Sequence, residues 1–240
     1  TNNLFVERVI EPEAFDHRVL GKAMTLVMKL NLVKKARIMH AIGKEYGVDN
    51  IVCSYKCWSS KRLSRWSIVP ERKKSDYLIR YLVIAATTGA LSKVYWGPLL
   101  CNRDGLIDDG STSYPAIDNV TFYKQVSGDL TNFKVREAFY AYANIIKLLS
   151  GAKCVQAINA DNGIHHFIFT TKSHKQLHII WTRDRGCIEA SSLYTEIQLE
   201  RGDFIDAMGQ VIQDKVLSFG ERPIFIEFEH PEQLKLSEPE

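Results

Sequence analysis

The pattern of apolar and polar positions changes near residue 150. Before it, residues 15–46 and 134–149 place an apolar side chain every three or four positions, which predicts amphipathic helices. Residues 50–55 and 93–100 are apolar on both faces, as the buried strands of a parallel sheet are. Residues 75–90 lie between these two strands and form a further predicted helix. The order strand, helix, strand predicts a βαβ unit.

Polar residues mark the ends of these elements. Ser75 and Asp76 are candidate N-cap residues of the helix between the strands, and Gly89 is its candidate stop. Residues 59–74 are basic and polar, and residues 101–133 are rich in Asp, Gly, Ser and Thr, so we expect two loops. The helix at 134–149 is expected to bury the face that carries Val135, Phe139, Tyr142, Ile146 and Leu149.

After Gly151 the apolar period falls from the helical 3.6 to the strand value of 2. Asp161-Asn-Gly163 and Asp184-Arg-Gly186 are typical of hairpin turns. These features predict an antiparallel sheet folded as a small β-sandwich, followed by a polar tail at residues 231–240. Strands are predicted over residues 153–158, 164–170, 176–182, 186–190, 195–199 and 223–228.

Composition and charge narrow the class of protein. The hydrophobic fraction of 45% and the charged fraction of 25% are ordinary for a globular chain. The net charge of +3 gives no global attraction to nucleic acid or to a membrane surface. No apolar run approaches the roughly 20 residues of a membrane span. The five cysteines are irregularly spaced, which favours reduced thiols and a cytoplasmic location.

The sequence predicts neither a metal site nor a cofactor. Cys53 and Cys57 are four positions apart, but no second Cys/His pair with ligand spacing accompanies them. Phosphate-binding, dinucleotide-binding, nucleophile-elbow and zinc-protease motifs are absent from the sequence. The four histidines of the predicted hairpins are expected to be partly exposed, and neighbours on one strand point to opposite faces. They are His165, His166, His174 and His178.

Specific motifs follow the two predicted parallel strands. The first strand ends in Ser54-Tyr55-Lys-Cys-Trp58, and the second contains Val94-Tyr-Trp96-Gly-Pro. Asp104-Gly-Leu-Ile-Asp108 and Arg136-Glu-Ala-Phe139 come next. This series resembles the last two β/α units of retaining glycoside hydrolases of clan A, the xylosidase- and iduronidase-like group. In that family a Ser/Thr-Glu pair ends the seventh barrel strand and the Glu is the nucleophile, whereas Ser54 is here followed by Tyr55.

The resemblance implies an α/β plus all-β fold, in which the last β/α units of a TIM-type barrel precede a small antiparallel β-sandwich. Residues 1–150 would be the partial barrel and residues 151–230 the sandwich. A barrel needs eight strands to close, so either an upstream segment or another subunit completes it, or the chain folds as an open remnant. The family's acid/base Glu would also lie upstream of Thr1. Because retaining hydrolysis needs two carboxyl groups roughly 5 Å apart, we expect weak or absent activity from this chain.

The same resemblance places the candidate site at the carboxyl ends of these strands. Tyr55 occupies the nucleophile position, as a weak nucleophile or as a space-filling residue in a degenerate site. Trp58 and Trp96 are sugar-stacking platforms or core residues. Asn102, Arg103 and Asp104 would contact a sugar, or Asp104 would form part of a turn.

Three functions remain open at this point. The chain is expected to be a glycoside hydrolase-like protein that acts on or binds a polysaccharide or oligosaccharide. The alternatives are a non-catalytic carbohydrate-binding or assembly protein, and an anion- or nucleic-acid-binding module. The last would use the basic residues 56–74, which could equally form a solvated surface. These residues are Lys56, Lys61, Arg62, Arg65, Arg72, Lys73 and Lys74.

Overall fold

The computed structural model describes part of the chain. Arg103, the first half of the predicted helix at 15–46 and the predicted polar tail lie outside the described residues. The described residues are Pro12, 32–50, 52–56, 58–65, 67–102, 104–110, 133–159, 163–182, 186–214, 216 and 218–229.

The first half contains the predicted βαβ unit. Strands β1 and β2 pair in parallel, with Val52 opposite Lys93, so the predicted parallel arrangement is confirmed. Their carboxyl ends therefore lie at the same edge, and the helix that joins them begins near that edge. The elements are α1 (Leu32–Glu45), β1 (Val52–Lys56), α2 (Ser60–Leu63), α3 (Pro70–Ala86) and β2 (Lys93–Trp96).

Helix α3 begins five residues before the predicted start. Pro70 occupies its first turn, where a fixed φ is already helical and the missing N–H costs no hydrogen bond. The predicted cap at Ser75 and Asp76 is therefore wrong, and the Ser75 hydroxyl instead donates to the Glu71 carbonyl within the helix. The predicted loop at 59–74 is likewise replaced by α2 and the first turn of α3.

Helix α4 (Glu137–Leu149) confirms the predicted helix, and Phe139, Tyr142 and Leu149 of the predicted face pack against the core while partly buried. The fully buried side chains are Ala138, Ala141, Asn144, Ile145 and Leu148. Val135 and Ile146, which were expected on the buried face, are each 47% exposed. Before this helix, two short strands pair in antiparallel fashion, β3 (Ile107–Asp108) and β4 (Lys134–Val135).

The second half is built on a five-stranded antiparallel sheet in the order β5-β6-β7-β11-β9. Four of these strands follow the predicted segments, and β9 was not predicted. A separate two-stranded ribbon pairs β8 with β10. The strands are β5 (Lys153–Asn159), β6 (Ile164–Thr170), β7 (Gln176–Thr182), β8 (Ile188–Glu189), β9 (Asp203–Ile205), β10 (Ser218–Phe219) and β11 (Ile224–Phe228).

Two local predictions in this half are wrong. Residues 195–199 are not a strand, because Thr195 and Gln198 form a capping box that begins helix α5 (Glu196–Arg201). The hairpin expected at 184–186 does not form, because β7 pairs with β6 and β11 while β8 pairs with β10. By contrast, β5 and β6 pair in antiparallel fashion around the Asp161-Asn-Gly163 turn signal, as predicted.

The two faces of the sheet pack against different layers. Phe167, Ile179 and Trp181 belong to one hydrophobic core with residues of α3 and α4, so this core extends across the predicted domain boundary. The opposite face packs against the β8–β10 ribbon and the turn at Ala190–Ser192. Among the described residues, this ribbon and turn stand where the predicted sandwich would have a second large sheet.

Two expectations from composition can be compared with the structure. No helix within the described ranges is long and apolar enough to cross a membrane. Cys101, Cys154 and Cys187 are free thiols, as the cysteine spacing predicted.

Candidate functional site

The carboxyl ends of β1 and β2 lie side by side and carry two of the predicted site residues, Tyr55 and Trp96. Tyr55 lies in β1, and Lys56 pairs with Trp96 at the end of β2. The ladder is irregular between Cys53 and Lys56, which is the stretch that contains Tyr55. Irregular strand pairing of this kind is frequent next to active sites, because it changes the direction of a side chain.

Trp58 and Trp96 form a buried aromatic pair beneath this edge. Their ring centroids are 5.7 Å apart at an interplanar angle of 28°. Tyr77 and Tyr81 of α3 meet Trp58 edge-on, at 5.5 Å and 5.9 Å. Trp58 is 2% exposed and Trp96 is 5% exposed, so the geometry favours core packing over an open sugar platform.

The indole N–H of Trp96 has a distinct environment. It is buried and has no hydrogen-bond acceptor among the described residues. A buried donor without an acceptor costs roughly 1–3 kcal/mol, so such a group is unusual in a packed core.

The loop after β2 is held by a buried lysine, one of the basic residues for which anion binding and a solvated loop were the two interpretations. Lys74 is 0% exposed, and its Nζ donates to the carbonyl oxygens of Asp104 and Gly105, at 3.0 Å and 2.7 Å. Gly105 is required here, because a Cβ would lie 2.4 Å from the backbone nitrogen of Cys101. Asp104 is itself 7% exposed, which agrees with the turn interpretation.

A signal for Lys74 was present in the sequence. Residues 74, 78, 81 and 85 share one helical face, and Leu78, Tyr81 and Ala85 on that face are buried. The signal was lost because the predicted helix began at residue 75. An earlier start at Pro70 would have placed Lys74 on the apolar face.

Arg136 joins the loop to two helices just before α4 begins. Its Nη1 donates to Glu71 of α3, and its Nη2 donates to the Asn102 carbonyl oxygen and to Asp108 Oδ2, the latter at 2.9 Å. The Arg136 backbone N–H donates to the Leu106 carbonyl at 3.0 Å. Arg136 therefore fixes the position of Asn102 and Asp108, two polar residues of the predicted site loop.

A second charged group links α3, α4 and the start of β11. Arg222 Nη2 donates to Glu137 Oε1 at 2.8 Å, whereas Arg222 Nε is 3.9 Å from Asp76 Oδ1, too far for a hydrogen bond. Lys73 Nζ bonds Glu221 Oε2 at 2.8 Å, and Arg80 donates to the Glu221 carbonyl. We call the group formed by Asp76, Glu137, Arg222, Lys73, Glu221 and Arg80 the charged seam.

Asp76 has the most unusual acid–base environment in the charged seam. Burial raises its pKa from the ordinary value of 3.8 to about 6, although Arg222, Arg80 and Arg72 oppose this rise. A carboxyl group with such a pKa can hold or release a proton near neutral pH. Asp76 lies on α3 in the first half of the chain, and Arg222 lies just before β11 in the second half. Their ion pair therefore links the two halves.

The basic loop and the histidines differ from expectation. Lys61, Arg65 and Arg72 are exposed, but Lys73 and Lys74 are held by the contacts above. Burial is nearly complete for three of the histidines, so the expectation of partial exposure is wrong for them. These are His165 at 2%, His166 at 2% and His178 at 0% exposure.

The alternation of the histidines is confirmed. His165 stacks on Trp181 on the helix-facing side of the sheet, while His166 meets His178 on the other side. Burial lowers the pKa of His166 to about 4 and that of His178 to about 3. His174 lies in the turn between β6 and β7, with a φ of 63°.

Comparison with known proteins gives a likeness of fold. No protein-family model matches this chain, and no curated protein does. Among solved structures, a family 39 glycoside hydrolase from the gut symbiont Bacteroides cellulosilyticus WH2 is similar, with a TM-score of 0.54 and 13% sequence identity. The match covers 81% of this chain and 38% of that protein, so the chain spans well under half of its length. This likeness agrees with the expected glycoside hydrolase-like fold, and the partial barrel stays a prediction.

Proposed function

We propose that this chain is part of a glycoside hydrolase-like protein that acts on or binds a polysaccharide or oligosaccharide. The observation that carries the proposal is the fold match to a family 39 glycoside hydrolase over 81% of the chain. The parallel β1–α3–β2 unit followed by an antiparallel sheet agrees with the order of a barrel end and a β-domain. In barrel enzymes, ligands bind at the carboxyl ends of the strands.

The proposed sugar site is therefore the edge at which β1 and β2 end. Tyr55 stands at the nucleophile position, and Asn102, Arg103 and Asp104 belong to the loop that would contact the sugar. Trp58 and Trp96 form the packed floor of this site, since both rings are buried.

We further propose that hydrolysis by this chain is weak or absent. A tyrosine hydroxyl has an ordinary pKa near 10 and needs an adjacent base to act as a nucleophile. Retaining hydrolysis also needs a second carboxyl group roughly 5 Å from the nucleophile. Tyr55 replaces the nucleophile carboxylate at the position that the resemblance indicates. Binding without turnover is the expected behaviour.

The test combines binding and covalent trapping. The chain is screened by calorimetry against neutral and acidic oligosaccharides and incubated with fluorinated glycosyl probes that trap retaining enzymes. We expect saturable binding of at least one glycan and no adduct by intact mass. Asn102→Ala should weaken binding while keeping the carbonyl that Arg136 contacts, whereas the exposed Asn50→Ala should leave it unchanged.

Two outcomes would contradict this proposal. Absence of binding to every glycan would remove the carbohydrate function, and an adduct on Tyr55 would remove the claim of inactivity. Tyr55→Phe should remove a specific adduct and leave random labelling unchanged. Tyr46→Phe is the control, because Tyr46 is 75% exposed and open to random labelling.

The anion-binding alternative uses the basic residues 56–74, and Lys61, Arg65 and Arg72 are exposed among those whose side chains the structure describes. It predicts binding of single-stranded nucleic acid or of a polyanionic glycan. The affinity should fall steeply as the salt concentration rises, because binding releases the counterions that are condensed on the polymer. Binding of neutral sugars that is insensitive to salt would favour the carbohydrate site at the strand ends.

A further inference from the structure

Three potential metal ligands converge on the sheet face that lies away from the helices. His166 Nε2 is 3.0 Å from His178 Nδ1, the Tyr194 hydroxyl is 2.7 Å from His178 Nδ1, and it is 3.1 Å from His166 Nε2. All three side chains are at most 3% exposed. This His-His-Tyr cluster is separate from the strand ends and from the charged seam.

The strand register brings the two histidines together. His166 of β6 lies opposite Ile180, and His178 of β7 lies opposite Ile168, so the imidazoles are diagonal neighbours on one face. Tyr194 reaches them from the segment after the Ala190–Ser192 turn, which covers this face. Phe228 packs beside the cluster, with ring centroids 5.0 Å from His178 and 6.0 Å from Tyr194.

Three short contacts join the polar atoms of the cluster, but only two protons are available to lie between those atoms. His178 Nε2 lies 3.2 Å from Gln176 Oε1, which can only accept, so His178 carries its proton there and its Nδ1 is an acceptor. The Tyr194 O–H can donate to His178 Nδ1, and His166 Nε2–H can donate to Tyr194. The remaining contact, between the two ring nitrogens, then has no proton of its own.

We propose that His166, His178 and Tyr194 form a binding site for a divalent transition-metal ion of the zinc or copper class. In tetrahedral coordination, ligand bonds of about 2.0–2.1 Å place neighbouring ligand atoms roughly 3.3 Å apart, so the three contacts of 2.7, 3.0 and 3.1 Å would lengthen by a few tenths of an ångström around the ion. Imidazole nitrogens suit both ions. Gln176 acts as the outer partner that fixes a ligating imidazole, an arrangement typical of metal-bound histidine.

Metal binding would move two protons. The Tyr194 phenol proton leaves to solvent, and His166 transfers its proton from Nε2 to Nδ1, which frees the Nε2 lone pair. No group of three His, Cys, Asp or Glu side chains in the described part of the chain has metal-binding geometry, so Tyr194 completes the proposed ligand set. The ion would join the segment after the Ala190–Ser192 turn to the central sheet.

The test uses the whole chain, unfolded in chelator and refolded with Zn²⁺ or Cu²⁺ because the site is buried. Thiols are alkylated first, since Cys187 is exposed and would bind metal adventitiously. After gel filtration, elemental analysis should find about one ion per chain, and thermal unfolding should shift upward. The Cu²⁺ form should show a phenolate charge-transfer band and two-nitrogen coupling in its electron paramagnetic resonance spectrum.

Variants separate the cluster from nonspecific binding. Tyr194→Phe should abolish the charge-transfer band and weaken metal retention by more than about tenfold. His174→Asn is the matched control, because His174 lies in a turn at φ 63°, a conformation that Asn tolerates, and it should bind as the unaltered chain does. Loss of metal from both variants alike would overturn the proposal.

The proposal also fails on the unaltered chain alone. If the refolded protein retains no metal while its circular dichroism is that of the folded state, the cluster is a hydrogen-bonded triad only. Retained Cu²⁺ without two-nitrogen coupling would likewise place the metal elsewhere. These readouts decide the question even if Tyr194→Phe does not fold.

Discussion

At the scale of the residue, Asp76 should make stability depend on pH. Its folded pKa of about 6 lies above the ordinary value of 3.8, so the folded state holds this proton more tightly. The resulting stabilisation is complete below pH 3.8 and is lost as pH rises through 6, a difference of about 3 kcal/mol. Asp76→Asn cannot ionise, so we expect its stability relative to the native chain to increase between pH 4 and 8.

Thermal unfolding of both proteins across this pH range checks the expectation. Glu137→Gln serves as a comparison, because Glu137 is partly exposed and directly hydrogen-bonded to Arg222. If the difference in unfolding temperature between Asp76→Asn and the native chain is the same at all pH values, Asp76 is not the titrating group.

Lys74 should be a large contributor to stability although it is a lysine. Replacing it with Met leaves the Asp104 and Gly105 carbonyls without their buried donor. Hydrogen bonds to a charged group are worth roughly 1.5–3 kcal/mol, so we expect Lys74→Met to lose about 2 kcal/mol or more. Denaturant titration measures this loss, and the exposed Lys61→Met should stay within about 0.5 kcal/mol of the native chain.

At the scale of the element, two adjacent residues of α4 test which face is buried. Ile145 is 1% exposed and Ile146 is 47% exposed, so the same substitution should have different effects at the two sites. Ile145→Ala should cost about 2–5 kcal/mol, because it removes core contacts and leaves a cavity. Ile146→Ala should cost less than about 1 kcal/mol. Urea unfolding compares them directly, and equal losses would contradict the helix orientation.

At the scale of the whole molecule, one core joins the two predicted domains. Leu78 of α3, Ala141 of α4 and Trp181 of β7 belong to the same buried cluster. We therefore expect one cooperative transition in which tryptophan fluorescence and far-ultraviolet circular dichroism coincide. Two separated transitions would instead favour independent folding of residues 1–150 and 151–230.

The sequence motifs indicate which strand edge carries the candidate site, but they do not indicate which side chains its residues contact. The motifs after β1 and β2 indicated one edge of a parallel sheet, and the structure brings Trp58 and Trp96 together there. Their burial was not predictable, because it depends on Tyr77 and Tyr81 of a helix whose packing is a tertiary property. Arg136 was known only as part of a motif, and its contacts reach residues 28 to 65 positions away.

The sequence by itself determined the local conformation wherever a single pattern of apolar residues continued through a whole segment. The apolar runs of β6 and β7, the helical repeat of α4 and the parallel β1–β2 unit all follow from such patterns. The tertiary structure decided which side chains are buried, because strand register and helix packing join distant segments. It buried Lys74, brought His166 to His178 and Tyr194, and placed Asp76 beside Arg222. A repeat of 2 or 3.6 determines the face on which a side chain lies, but the neighbours of that face come from elsewhere in the chain.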